Sequence, residues 1–87
     1  MKVVMYTTGF CPFCMMAERL LKSRGVEHID KIRVDLEPHL RENMERLTGR
    51  RTVPQIYINE TYVGGYDDLA ALDRSGKLLS LLNGLDN

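Results

Sequence analysis

The chain predicts an α/β fold, a four-stranded mixed sheet flanked by helices in the order βαβ-α-ββ-α. Three observations lead there. An apolar strand pattern passes directly into an amphipathic helix pattern and then into a second strand, which makes a βαβ unit. Two later strand patterns are joined by Asn59-Glu60, the two-residue connection of a tight hairpin. A helix pattern follows the βαβ unit and another follows the hairpin, so helices are available to cover the sheet.

Taken in order, Val3 to Thr7 reads as a buried strand, and Thr8-Gly9-Phe10 turns into a helix with apolar positions at Phe13, Met16, Ala17, Leu20 and Leu21. Those positions share one face, and Gly25 supplies the stop. From Ile29 to Val34, β-branched content and alternation at Ile32 and Val34 give a second strand, parallel to the first by the crossover rule. A second helix opens near Pro38, carries Leu40, Met44 and Leu47 inward, and ends at Gly49. On it Glu37 with Arg41, and Glu42 with Arg46, have the i,i+4 spacing of solvated ion pairs. Val53 to Ile58 and Thr61 to Val63 form the hairpin strands, with Asn59 tolerating a positive φ. After Gly64-Gly65, Asp67 or Asp68 is the expected N-cap of a last helix through Leu69 and Leu72, with Leu78 to Leu82 extending or closing it. Asn83 to Asn87 reads as a frayed tail.

Bulk properties narrow the function. With 87 residues and 44% hydrophobic side chains, one domain spanning 1–87 with one modest core is expected. Twelve basic residues balance twelve acidic ones, so no broad positive field favours nucleic acid or an anionic membrane. The start of the chain has no long apolar signal region, and no window approaches the ~18 apolar residues of a spanning helix. The expectation is a monomer in the cytoplasm, a reducing compartment.

Both cysteines fall in Cys11-Pro12-Phe13-Cys14. Structural zinc needs about four ligands, and His28 and His39 are isolated, so no metal is expected. A disulfide across so short a loop adds little to stability, which leaves chemistry as the reason for the pair. Pro12 suits a first helical turn, so Cys11 occupies or borders the N-cap and its sulfur faces unpaired N–H groups. Such a terminus stabilises a thiolate, lowering its pKa from about 8.5 toward roughly 3.5 to 7.5. Cys14 lies three residues into the helix and gains less. Cys11 is therefore the expected nucleophile and Cys14 the resolving thiol of a redox-active disulfide.

Three segments, Cys11-Pro12-Phe13-Cys14, Thr52-Val53-Pro54-Gln55 and Gly64-Gly65-Tyr66-Asp67-Asp68, resemble the signatures of dithiol glutaredoxins of the bacterial glutaredoxin-3 kind, in order and at the expected separations. The resemblance implies the thioredoxin fold, a cis peptide before Pro54, and glutathione as reducing co-substrate, with glutathionylated or disulfide-bearing proteins as partners. It also implies glutathione contacts from Phe13, Arg51, Thr52, Val53, Pro54, Gln55, Gly65, Tyr66, Asp67 and Asp68. Two residues depart from the common pattern: Phe13 where Tyr is commonest, and Thr8 where many members carry Lys.

Most of these positions have an ordinary reading beside the functional one. Pro54 also fits edge-strand punctuation, Gly64-Gly65 a plain turn, and Asp67 or Asp68 a plain cap. Arg50-Arg51 fits a solvated charge pair, although Arg51 or Gln55 is a candidate for the glycine carboxylate of glutathione. Met15, Met16 and Met44 are expected to pack. The expected activity is glutathione-dependent reduction of mixed and protein disulfides. The alternatives are a redoxin served by thioredoxin reductase, and a [2Fe–2S] cluster carrier, against which Pro12 counts.

Overall fold

The computed structural model describes residues 1–84. Its elements are β1 (Val3–Thr7), α1 (Pro12–Ser23), β2 (Asp30–Arg33), α2 (Pro38–Thr48), β3 (Gln55–Ile58), β4 (Thr61–Gly64), α3 (Tyr66–Arg74) and α4 (Lys77–Leu82). The sheet runs β2-β1-β3-β4, with β1 parallel to β2 and both other pairings antiparallel. The element order read from the sequence is the order observed as far as α3.

Because β1 lies inside the sheet with helices on both faces, its side chains divide between two cores. Val3 and Met5 join Ala17 and Leu21 of α1, Leu69 of α3 and Leu78 of α4 on one face. Tyr6, with Val4 half-buried beside it, meets Val34 and Met44 of α2 on the other. This alternation explains why the strand reads as a continuous apolar run rather than a half-polar one. It also places the carboxyl end of β1, and the turn into α1, at one edge of the sheet.

Several boundaries and burial expectations need correction. The last helix is two, broken where Gly76 takes φ +80°, a left-handed conformation that ends one helix and starts the next. Strand β3 begins at Gln55 rather than Val53, since Pro54 has no N–H to give a ladder. Ile29 and Val34 flank the β2 ladder, and Val34 still donates to the Thr7 carbonyl at 3.0 Å. The Asn59-Glu60 turn is as expected, both residues at positive φ (48° and 69°), and an extra residue in β4, Val63, makes a bulge before Gly64. The tail assigned to 83–87 lies outside the described residues beyond Gly84.

Phe13, Met15, Met16 and Leu47, expected inside, are exposed, whereas Met44 is fully buried. A helix packed on one sheet face buries only a narrow stripe, here Cys14, Ala17 and Leu21, and the positions beside it stay outside. The two i,i+4 pairs of α2 do not form either. Arg41 donates to the Arg51 carbonyl at 2.6 Å and Arg46 to the Asn43 side chain. A tertiary acceptor and a nearer neutral one have displaced weak exposed ion pairs.

Candidate active site

Three residues, Thr8 to Phe10, carry the chain from β1 into α1, and Cys11 ends that turn as the N-cap, with extended backbone at φ −151° and ψ 99°. Pro12 opens the helix. The Cys11 sulfur accepts the Cys14 backbone N–H at 3.1 Å, so it occupies the place that a serine or aspartate oxygen takes in an ordinary cap. No acidic residue stands in the first turn of α1 to compete for that positive end. The two sulfurs are joined in a disulfide with the Cα atoms 5.2 Å apart. Cys14 is the deeper of the pair and packs in the main core, while Cys11 lies at its edge.

The Val53 carbonyl lies 3.8 Å from the Cys11 sulfur, at the cis Val53–Pro54 bond. In the disulfide the sulfur carries no proton, so this is a contact; only the reduced thiol can donate across it. Phe13 of α1, Thr52 to Gln55 before and at the start of β3, and Gly65 to Asp68 at the start of α3 line one groove of about 450 Å³. Nine of the ten residues assigned to glutathione thus share a single surface beside the dithiol. The Phe13 and Tyr66 rings, 6.2 Å apart, form its wall toward α1.

The tenth, Arg51, is placed elsewhere. Its guanidinium pairs with Glu45 of α2 at 3.2 Å and faces a separate depression with Val34 and Pro38. Arg50 lines the groove in its place, donating to Asp68 at 2.9 Å. No short-range signal separates the two arginines, because the adjacent Thr52 and Val53 both line the groove. Gln55 lines the groove with its side chain held by protein partners. It is buried, its amide oxygen accepts from the Tyr62 hydroxyl at 2.5 Å, and its amide N–H donates to the Thr52 carbonyl at 3.0 Å. The side chain braces the loop that carries Val53, and its amide N–H, the group that would meet a carboxylate, is turned to Thr52.

At α3 the cap is Gly65, not Asp67 or Asp68. Asp68, three residues on, reaches back and accepts the Gly65 N–H at 2.9 Å, the N3 half of a capping box. Gly64, at φ +117°, lies against that carboxylate so closely that a Cβ would collide with it. Arg50 and the Gly65 N–H together hold the Asp68 carboxyl below the usual carboxylate range. Asp67 is exposed at the groove rim. Among the described residues, no group of three or more His, Cys, Asp or Glu side chains is placed to hold a metal ion.

Comparison with known proteins accounts for this arrangement. The glutaredoxin family model matches residues 3–63. A glutaredoxin of Neisseria meningitidis is 56% identical over 81 residues, covering 93% of this chain and 95% of that protein. Glutaredoxin 3 of Escherichia coli is 45% identical over 80 residues, covering 92% and 95%. The crystal structure of a buckwheat glutaredoxin–glutathione complex superposes with a TM-score of 0.87 at 27% identity, covering 95% of this chain and 77% of that one. The sheet order, the flanking helices and the cysteine pair at the head of α1 are those of a thioredoxin fold carrying a redox-active disulfide. The chain belongs to the glutaredoxin family, and its cysteine pair makes it a thiol–disulfide oxidoreductase.

Proposed function

We propose that residues 1–87 act as one glutathione-dependent domain that reduces glutathione mixed disulfides and protein disulfides, with Cys11 as nucleophile and Cys14 as resolving thiol. The observation that carries this reading is the groove beside Cys11, a peptide-sized space lined both by the Val53 backbone before the cis proline and by a helix start at Gly65. Extended peptides pair with free strand edges, and carboxylates bind helix N-termini, so the peptide and the γ-glutamyl end of glutathione suit the two sides. The buckwheat complex, a relative that holds glutathione, supports the same use of the fold.

The Cys11 thiolate attacks the glutathione sulfur of a mixed disulfide; the mixed S–S bond breaks, and the substrate leaves as a thiolate that takes a proton. Cys11 is left joined to glutathione. A second glutathione thiolate then attacks that glutathione sulfur, giving glutathione disulfide and free Cys11 thiolate. For a protein disulfide, Cys11 thiolate attacks one sulfur and forms a Cys11–protein mixed disulfide. Cys14 thiolate then attacks Cys11 to release the reduced protein and form the Cys11–Cys14 disulfide, and two glutathiones reduce that disulfide, leaving as glutathione disulfide. The cytoplasm, where glutathione is plentiful and thiols are kept reduced, suits this cycle.

A turnover assay with a single electron source tests the proposal. Rapid turnover with glutathione and its reductase, and little with thioredoxin reductase, is the expected result. The reverse preference would favour a redoxin, and a coloured protein containing iron and sulfide would favour a cluster carrier.

A further inference from the structure

The turn that delivers the nucleophile has almost nothing to hold it. Thr8, Gly9 and Phe10 lie between β1 and the Cys11 cap, and Phe10 is 86% exposed, so no apolar burial anchors them. The Thr8 hydroxyl bonds only within the turn, to the Phe10 carbonyl at 3.3 Å. The β1–β2 ladder continues as far as the Val34 N–H and the Thr7 carbonyl, then runs out. Two residues further the side chain of Asp35 takes over, its Oδ2 accepting the Gly9 N–H at 3.0 Å. Among the described residues this is the one hydrogen bond that ties the turn to a distant part of the chain.

Asp35 is itself held. Arg33 grips it with two parallel bonds, Nε to Oδ1 at 2.7 Å and Nη2 to Oδ2 at 2.8 Å, a bidentate arrangement that fixes the carboxylate plane. The guanidinium lies over Gly9, where a Cβ would stand 2.6 Å from Nη2. A side chain there would push the guanidinium aside. A small cleft of about 210 Å³ is lined by Thr8, Gly9, Arg33 and both cysteines, so the arginine of the clamp shares a cleft with the sulfurs, where the other charged groups are Glu18 and Lys31, paired with each other at 2.8 Å.

We propose that Asp35, oriented by Arg33 over Gly9, is a positioning residue that holds the Thr8–Phe10 turn and thereby the Cys11 cap in register with the first turn of α1. This rests on the reading of Cys11 as nucleophile. Loss of the tether lets the cap swing away from the helix N–H groups that stabilise its thiolate, and a misplacement of about 1 Å at a reacting group can cost roughly a hundredfold in rate.

The test uses the full reduced chain as wild type, Asp35→Ala, Asp35→Asn and Gly9→Ala. Three quantities are measured: the pH midpoint of iodoacetamide alkylation with the labelled cysteine identified by mass, kcat and KM with glutathione and a glutathione mixed disulfide, and the melting temperature. Asp35→Ala removes a negative charge and frees the Arg33 cation, which by charge alone lowers the alkylation midpoint, so a midpoint that rises instead, with kcat about tenfold lower and KM within about twofold, is the expected mark of a displaced cap. Gly9→Ala displaces only the far end of a flexible arginine and should do the same in smaller degree. Asp35→Asn keeps an acceptor for the Gly9 N–H and should recover most of kcat. A lowered melting temperature with kcat and midpoint unchanged would overturn the clamp, as would equal losses in the alanine and asparagine variants. First labelling of Cys14 in the wild type would overturn the nucleophile assignment along with it.

Discussion

Two helix N-termini meet at this site, where Phe13 of α1 faces Tyr66 of α3, and they are finished in opposite ways. The α1 end carries no acid in its first turn and is capped by a sulfur. The α3 end has Gly65 at its cap and carries Asp67 and Asp68 in its first turn, where the Asp68 carboxylate accepts the Gly65 N–H and is also held by an arginine. The same backbone dipole therefore serves two purposes. At α1 its positive charge falls on a polarisable atom that can become a thiolate and a nucleophile; at α3 it falls on a permanent anion beside an open groove. A permanent carboxylate beside Cys11 would disfavour the thiolate, so the chemistry depends on keeping the two kinds of ending apart.

The largest effect that could break this contrast lies at the sulfurs. Cys11→Ser is expected to abolish all thiol–disulfide turnover, whereas Cys14→Ser keeps glutathione-dependent deglutathionylation and loses reduction of protein disulfides. Assays on the two substrate types separate these outcomes, and equal loss of both activities in both variants would erase the asymmetry between cap and third helical residue.

The α3 end should respond in binding rather than chemistry. Asp68→Ala is expected to raise KM for glutathione roughly ten- to hundredfold, the equivalent of about 1.5 to 3 kcal/mol for a charge-assisted contact. The lost cap should cost stability about 1 kcal/mol, or roughly 4–8 °C in a domain this small. Asp67→Ala, which removes no cap, should affect KM with little change in melting temperature. A drop in melting temperature with glutathione kinetics unchanged in both variants would make these aspartates structural only.

A smaller effect distinguishes the two arginines. Arg50→Ala is expected to raise KM for glutathione a few-fold, about the size of a partly exposed charged contact, while Arg51→Ala leaves it unchanged. Steady-state kinetics of the pair decide it; the reverse order would return the ligand carboxylate to Arg51.

The smallest effect is in pH. The folded Asp68 carboxyl lies below its ordinary value of about 3.9, so its stabilising contribution is complete above that value and fades as pH falls through the lower folded one. Melting curves between about pH 5 and 2 should show a small acid-side loss that flattens in Asp68→Asn. The α1 first turn has no acid that titrates in this range.

How much of this could be read beforehand follows the range of each interaction. Cys11 as the sulfur cap behind Pro12, and the Asn59-Glu60 turn, depend on residues within a few positions of one another, and both are observed as expected. The Asp68 role was visible only in part: the i,i+3 spacing places it near a cap, but which residue is the cap depends on where β4 releases the chain, and the bulge at Val63 sets that.

Element order as far as α3, the CxxC at the handover from strand to helix, and the segments that meet around it follow from local residue patterns, because strand and helix periodicities, proline and glycine act over a few positions. Packing of the whole chain is needed to say which hydrophobic side chains stay outside, which arginine faces the groove, that the Gln55 amide is engaged by Tyr62 and Thr52, and that Asp35 reaches Gly9. Each of those depends on the distance and facing of residues far apart in the chain. Strand register and the placement of helices on the sheet determine both, and neither is written in any short window of residues.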